Sequence, residues 1–327
     1  MKKLFFTFII LLCSCAGSVQ VNHEAKQNAT SHDISPEAVW HSGGSFRERV
    51  IERCSPLGGQ DFGECFIAVM KDSGASPSAI AFTKLTGNTG YLRNFRETGV
   101  VDIAYVHYPF RANENYGCFL VNGDPPVIDV DAYDIVQKIE LKKNKQYAEI
   151  FFAFSEASIW PGDRFGDYCV QPDAQKGIQR FIVSYRILNN CHACELLGSA
   201  KVAFDFDSAG KFLDTELLHV EAVVKVFNDP EKPVSVAVGS MFVIVLQSNR
   251  TTGYRWEYYN PKNASVVKLM GIEYRASGTG FLGSGGREVL MFEAVGKGKS
   301  EITLNYARPW EKDVPPAKSV SFKVNAD

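Results

Sequence analysis

Two periodicities divide most of the chain. Between residues 45 and 72 apolar side chains recur every three or four positions: Phe46, Val50, Ile51 and Cys54, then Phe62, Cys65, Phe66, Val69 and Met70. That spacing puts each set on one face of a helix, with Ser45 and Asp61 as N-caps. Ser55-Pro56-Leu57-Gly58-Gly59-Gln60 between them reads as the turn of a helical hairpin. Each helix then carries a cysteine on its inward face, and Cys54 and Cys65 are expected to pair. Ser76-Pro77 predicts a third helix start, with Ser as cap and Pro in the first turn. From Val100 the pattern shortens to that of strands, expected over 100–108, 117–121, 147–154, 179–188 and 201–206. Helices followed by antiparallel-looking strands predict an α+β lobe over residues 34–227.

Phe227-Asn228-Asp229-Pro230-Glu231-Lys232-Pro233 has the polar and proline content of a linker, placed at 228–233. Beyond it, seven strand-like runs follow at 234–238, 241–247, 254–259, 266–274, 289–294, 302–306 and 320–324. In the sixth, Ile302, Leu304 and Tyr306 alternate with Glu301, Thr303 and Asn305. Seven short strands over residues 234–327 predict an all-β, two-sheet sandwich of immunoglobulin-like class. Two domains are therefore expected.

Composition narrows the function classes. A length of 327 residues, 45% hydrophobic and 22% charged, excludes a disordered or collagen-like chain. With 35 Lys and Arg against 37 Asp and Glu, no basic excess points to a nucleic acid partner. The charge divides unevenly: residues 230–327 hold 13 basic and 9 acidic side chains, residues 16–229 hold 20 and 28. Eight cysteines are many for a reduced compartment. Cys54, Cys65, Cys118, Cys169, Cys191 and Cys194 all precede the sandwich, which has none.

The other two lie at the N-terminus. Lys2 and Lys3 precede the apolar run Leu4 to Leu12, too short to span a bilayer but suited to a signal-peptide core. The run ends in Leu12-Cys13-Ser14-Cys15, which resembles the bacterial lipobox. The resemblance implies that Cys15 is lipidated and becomes the mature N-terminus, anchoring an exported protein to a membrane; cleavage near Ala16 without lipid is the alternative. Residues 16–33 are polar and aperiodic, a tether of about 20–25 Å as a coil. Ala16 is not the Asp associated with inner-membrane retention, which directs the expectation to an outer membrane or cell surface.

The α+β lobe shows no catalytic constellation. His23, His32, His41, His107, His192 and His219 are scattered, and no G-x-S-x-G, H-E-x-x-H or Walker pattern occurs. Asp102, Asp129 and Asp131 read as charged strand ends and solvated loops. Cys191-His192-Ala193-Cys194 lacks the following helix of a redox pair and the second ligand pair of a zinc site, so a disulfide at a hairpin end is expected. Cys118–Cys169 then remains as the third bridge by elimination. Gly278-Thr279-Gly280-Phe281-Leu282-Gly283 fits a dinucleotide string but precedes a strand, and Gly296-Lys297-Gly298-Lys299-Ser300 lacks the first Walker glycine and reads as a hairpin turn. No metal or cofactor is implied.

Three loops of the sandwich have distinctive composition: Asn249-Arg250-Thr251-Thr252-Gly253-Tyr254, Gly283-Ser284-Gly285-Gly286 and Arg308-Pro309-Trp310-Glu311. Each alone has a plain explanation as a turn, a flexible linker or a buried Trp. Together and in this order they resemble the chagasin family of cysteine-protease inhibitors, whose loops read N-P-T-T-G-aromatic, G-x-G-G and R-P-W. The likeness covers the whole sandwich and implies reversible inhibition of papain-like cysteine proteases. By that resemblance Asn249, Thr251, Thr252, Gly253 and Tyr254 fill the catalytic cleft, with Gly283, Gly285 and Gly286 on one wall and Arg308, Pro309 and Trp310 on the other. Bare backbone and small side chains suit a narrow cleft, Gly253 can supply a positive-φ turn, and Arg and Trp are frequent interface hot spots. Arg250 departs from the family's Pro, adding a charge and loosening the loop. Asn249-Arg250-Thr251 is also a glycosylation acceptor, and a glycan there would obstruct docking. Two other readings stand beside inhibition: a sandwich acting as a non-inhibitory binding module, and an α+β lobe that binds a ligand or is an enzyme.

Overall fold

Ser76 opens a helix as its sequence predicts, its Oγ accepting from the Ala79 amide at 3.1 Å with Pro77 in the first turn. This and the following geometry come from a computed structural model that describes residues 33–57, 59–110, 116–131, 141–162, 170–175, 177–259, 265–276 and 284–327. The expected signal segment, lipidated Cys15 and tether up to residue 32 lie outside the described residues, as do Cys169 and Gly283.

Among the described residues a 3-10 turn at Pro36–Ala38 is followed by three α-helices: α1 (Phe46–Cys54), α2 (Gly59–Asp72) and α3 (Pro77–Leu85). Cys54 and Cys65 are joined across the α1/α2 hairpin, with their Cα atoms 5.7 Å apart. Phe46, Val50, Phe66, Val69 and Met70 are buried there with Trp40 and Tyr91. Ser45 makes no side-chain cap, its Oγ instead accepting from Arg49 Nη1. A four-stranded antiparallel meander follows: β1 (Tyr91–Arg96), β2 (Asp102–His107), β3 (Tyr116–Val121) and β4 (Val127–Asp129). Its Leu92, Ala104, Val106, Phe119 and Val121 pack against Phe82 of α3.

Residues 147–154, expected as a strand, instead form α4 (Lys145–Ala153). Asn144 Oδ1 caps it by accepting from the amides of Gln146 and Tyr147, and Tyr147, Ile150 and Ala153 are buried at helical spacing. A short apolar run satisfies both periods, and the cap decides. Next come β5 (Ala157–Pro161), β6 (Val170–Gln175), β7 (Ile178–Asn189), β8 (Leu196–Asp207) and β9 (Phe212–Ala222), in a sheet of order β5-β7-β8-β9 with β6 also on β7. Cys191 and Cys194 are bridged at the β7/β8 hairpin tip.

Cys118 corrects the expected third bridge. It is a free thiol at 0% exposure on the inward face of β3, among Ile103, Leu120 and Tyr185. Burial pushes its ionisation far above the usual thiol range.

The C-terminal sandwich comprises β10 (Lys225–Phe227), β11 (Val234–Val236), β12 (Met241–Ser248), β13 (Arg255–Tyr259), β14 (Val267–Ala276), β15 (Gly286–Ala294), β16 (Gly298–Ala307) and β17 (Lys318–Ala326). One sheet has the order β10-β12-β15-β14 and the other β11-β17-β16-β13. The described residues are mostly β, with a two-sheet sandwich after a region holding helices and disulfides. The segment expected as a linker is a crossover within this sandwich. β10, before the prolines, runs parallel to β12 in one sheet, and β11, after them, runs parallel to β17 in the other. Between them Asp229 closes a turn, its carboxylate accepting from the Glu231 amide and pairing with Lys232.

Phe242, Ile244 and Leu246 of β12 face Leu290, Phe292, Trp256, Ile302, Leu304, Phe322 and Val324 in the sandwich core. The alternate residues Val243 and Val245, with Val289 of β15, are also buried, because they share a core with Tyr147, Ile150, Phe181, Val183 and Val220 of the preceding lobe. Each such valine contributes about 1.5–3 kcal/mol relative to exposure. Residues 34–327 accordingly form one compact unit.

Candidate functional site

β12 and β13 are joined by the segment 249–254, β14 and β15 by 277–285, and β16 and β17 by 308–317, and antiparallel register brings the roots of these connections to one end of the sandwich. The first is central. A Cβ on Gly285 would lie 3.2 Å from the Ser248 carbonyl and 3.8 Å from Asn249 Cβ, and Arg308 Nε donates to the Thr252 carbonyl at 3.1 Å.

Asn249 builds the first loop from within. Its Oδ1 accepts from the Thr251 amide at 3.2 Å and from the Thr251 hydroxyl at 2.6 Å, and its carbonyl accepts from the Thr252 hydroxyl at 2.6 Å. Arg250–Thr252 is thereby wound into a single turn of 3-10 helix, closed by the Gly253 amide donating to the Arg250 carbonyl at 3.0 Å. Both threonine hydroxyl protons are used inside the loop, and the exposed side chains present oxygen acceptors and methyl groups outward. Gly253 is required twice over. Its φ of 83° lies in the left-handed region, and an added Cβ would stand 2.5 Å from Trp310 Cη2.

Arg308 ties the third loop to the first. Besides the Thr252 carbonyl it reaches Glu311 at 3.0 Å, which holds its guanidinium above its already high ionisation range, and it lies 4.5 Å over the Tyr254 ring. Tyr254 in turn stacks on Tyr306, whose hydroxyl accepts from the Asn249 amide at 2.8 Å. Tyr254 is therefore a half-buried support beneath the loops. Pro309 is half-buried, and Trp310 stands 65% exposed beside Gly253. Of the expected glycine wall, Gly285 is half-buried at the mouth of its loop. Gly286 is the buried first residue of β15, where a Cβ would collide with the Arg275 carbonyl.

The structure adds a residue that pattern reading missed. Glu288 of β15 is fully buried. Its Oε1 accepts from Arg250 Nε at 2.9 Å and its Oε2 from the Trp256 amide at 2.6 Å, while Arg250 also lies 4.9 Å over the Tyr274 ring. Arg250, the departure from the family motif, is thus pinned to the sandwich rather than loose. The signal was present in the sequence, since Glu288 shares the inward phase of Leu290 and Phe292.

Residues 235–324 match the model of the chagasin family peptidase inhibitor I42. The chain is 30% identical over 94 residues to Amoebiasin-1 of Entamoeba histolytica, spanning 87% of that protein and 28% of this one. It is 33% identical over 79 residues to Chagasin of Trypanosoma cruzi, spanning 72% of that protein and 23% of this one. A solved structure of the cysteine protease inhibitor EhICP2 from Entamoeba histolytica is similar over 32% of this chain and 96% of its own, with 22% identity and a TM-score of 0.27.

Proposed function

The chain belongs to the chagasin family through residues 235–324, and from that premise we propose that its sandwich reversibly inhibits papain-like cysteine proteases by inserting the first loop into the catalytic cleft. The observation that carries this reading is the first loop itself. Its exposed Thr251 and Thr252 sit in a 3-10 turn whose amides and hydroxyls bond internally, so the backbone is not the extended strand that a protease cleaves. A loop already ordered loses little conformational entropy on docking. Exposed Trp310 flanks it as an aromatic anchor, and Arg308 fixes the spacing between the two. Glu288 and Arg250 take the part that a rigid proline plays in the family motif, holding the loop root by an ion pair instead of by a ring.

Titrating papain with the full chain tests this. Inhibition at submicromolar concentration is expected, and replacing Thr251, Thr252 and Trp310 together by Ala should raise the inhibition constant at least about tenfold. No inhibition by micromolar protein refutes the function, and an unchanged constant for the triple variant refutes the loop assignment. We also propose export and membrane attachment through Cys15, supported by the Lys2-Lys3 start, the Leu4 to Leu12 run and the lipobox-like ending. Cys15→Ala should move the protein from the membrane fraction to the soluble exported fraction, and membrane retention of that variant overturns the anchor.

A further inference from the structure

The outer face of the sheet β10-β12-β15-β14 is covered by the α+β lobe in layers that run toward the loops. Val243 pairs with Met291 and Val245 with Val289, and both layers are packed into the shared core. The next layer is Gln247 opposite Arg287, which is itself opposite Arg275 on β14. Immediately beyond it, Ser248, Gly286 and Ala276 pair across the three strands at the roots of the first and second loops. In the layer of Gln247, Arg287 and Arg275 the contact with the other lobe changes from apolar to directed. Arg287 Nη1 donates to the Phe152 carbonyl at 2.6 Å, and its guanidinium lies 4.4 Å over the Phe152 ring. Arg275 lies 5.1 Å over the ring of Phe154, which is itself buried, and pairs with Glu273 at 2.7 Å.

Phe152 and Phe154 stand at the C-terminal end of α4, where backbone carbonyls are left without intrahelical partners and favour a cation. Two arginines from adjacent strands thus grip one helix end, one residue away from the loop roots. An apolar contact would tolerate sliding along the sheet. A carbonyl held by a guanidinium under an aromatic ring fixes both position and rotation.

We propose that the α+β lobe acts as a strut for the inhibitory edge: the end of α4 clamps Arg275 and Arg287, and these positioning residues hold the roots of the first two loops in docking geometry. This role deepens the proposed inhibition and rests on it only in its second measurement. The first measurement is amide hydrogen exchange in the full chain without protease. Arg287→Ala, and Phe152→Leu from the other side of the contact, should each speed exchange at Asn249–Gly253 by about tenfold or more, whereas Arg287→Lys should restore part of the protection. Unchanged exchange in both folded variants overturns the strut. Phe152→Leu keeps the test alive if Arg287→Ala fails to fold.

The second measurement is the inhibition constant toward papain. Arg287→Ala and Phe152→Leu should each raise it about tenfold, and the double variant should raise it no further, because both remove one contact. Full additivity overturns the shared clamp. If the unaltered chain does not inhibit at all while exchange still responds to both variants, the proposed function fails and the strut stands.

Discussion

The two sheets of the sandwich are built from strands of similar length, yet they are stabilised differently. In the sheet β11-β17-β16-β13, burial alternates along β16 and β17, and one face meets solvent. In the sheet β10-β12-β15-β14, the run Phe242 to Leu246 is buried at every position, because the α+β lobe covers the second face. A half-exposed sheet needs only its partner sheet, whereas this doubly covered one needs another lobe. The chain therefore couples a small cystine-free sandwich to a larger body, and the loops of interest spring from strands of both sheets.

The largest effect separating the two sheets is expected from Val245→Asp, which buries a carboxylate in the shared core. It should cost more than about 4 kcal/mol or prevent folding, while Glu301→Gln on the solvent face of β16 should stay within about 0.5 kcal/mol. Denaturant unfolding of both variants measures this, and a mild Val245→Asp would show that the outer face is not sealed.

A middle-sized effect is expected at the loop root. Glu288→Ala leaves the Trp256 amide and Arg250 without their acceptor and should cost about 2–3 kcal/mol, discounted because the Arg250 side chain is 44% exposed. Arg250→Ala should cost less than Glu288→Ala in the same unfolding assay. Equal costs would mean that the whole contribution of Glu288 runs through the ion pair.

The smallest effect is a pH dependence confined to the α+β lobe, since residues 234–327 hold no histidine. Burial, then the charge of Arg93, depress the ionisation of His107, whose Nδ1 lies 2.7 Å from the Tyr91 hydroxyl. The folded state therefore resists the proton. The stability contributed is complete above the unfolded value of about 6.5 and declines as pH falls through the depressed folded value. His107→Gln should flatten the stability profile between about pH 7 and 5. An unchanged slope would assign it to other groups.

Helical periodicity makes the Cys54/Cys65 hairpin legible in the sequence, because both cysteines sit in the apolar phase of their helices. Ile302, Leu304 and the alternation around them revealed β16 equally well. Residues 147–154 fit both periods as a short apolar run, and only the Asn144 cap and the neighbouring sheet select the helix. Two prolines have the look of a linker where the chain crosses from one sheet to the other. Counting cysteines gives Cys118 a partner, but its inward position on β3 seals the thiol in the core. At the site, loop composition singles out Thr251, Thr252, Gly253 and Trp310 as candidates, whereas Arg250 has no local explanation and gains one only from Glu288 packed beneath it.

Local signals suffice for the helix start at Ser76, the Cys54/Cys65 hairpin and the composition of the three loops, because caps, glycines and short-range periodicity act over a few residues. Packing establishes that the lobes share a core, that Glu288 anchors Arg250, and that Arg275 and Arg287 grip the end of α4. Those contacts join residues more than 30 positions apart. Burial on a second face and the pairing of distant charges depend on which surfaces meet, and that is fixed only when the sheets and helices pack.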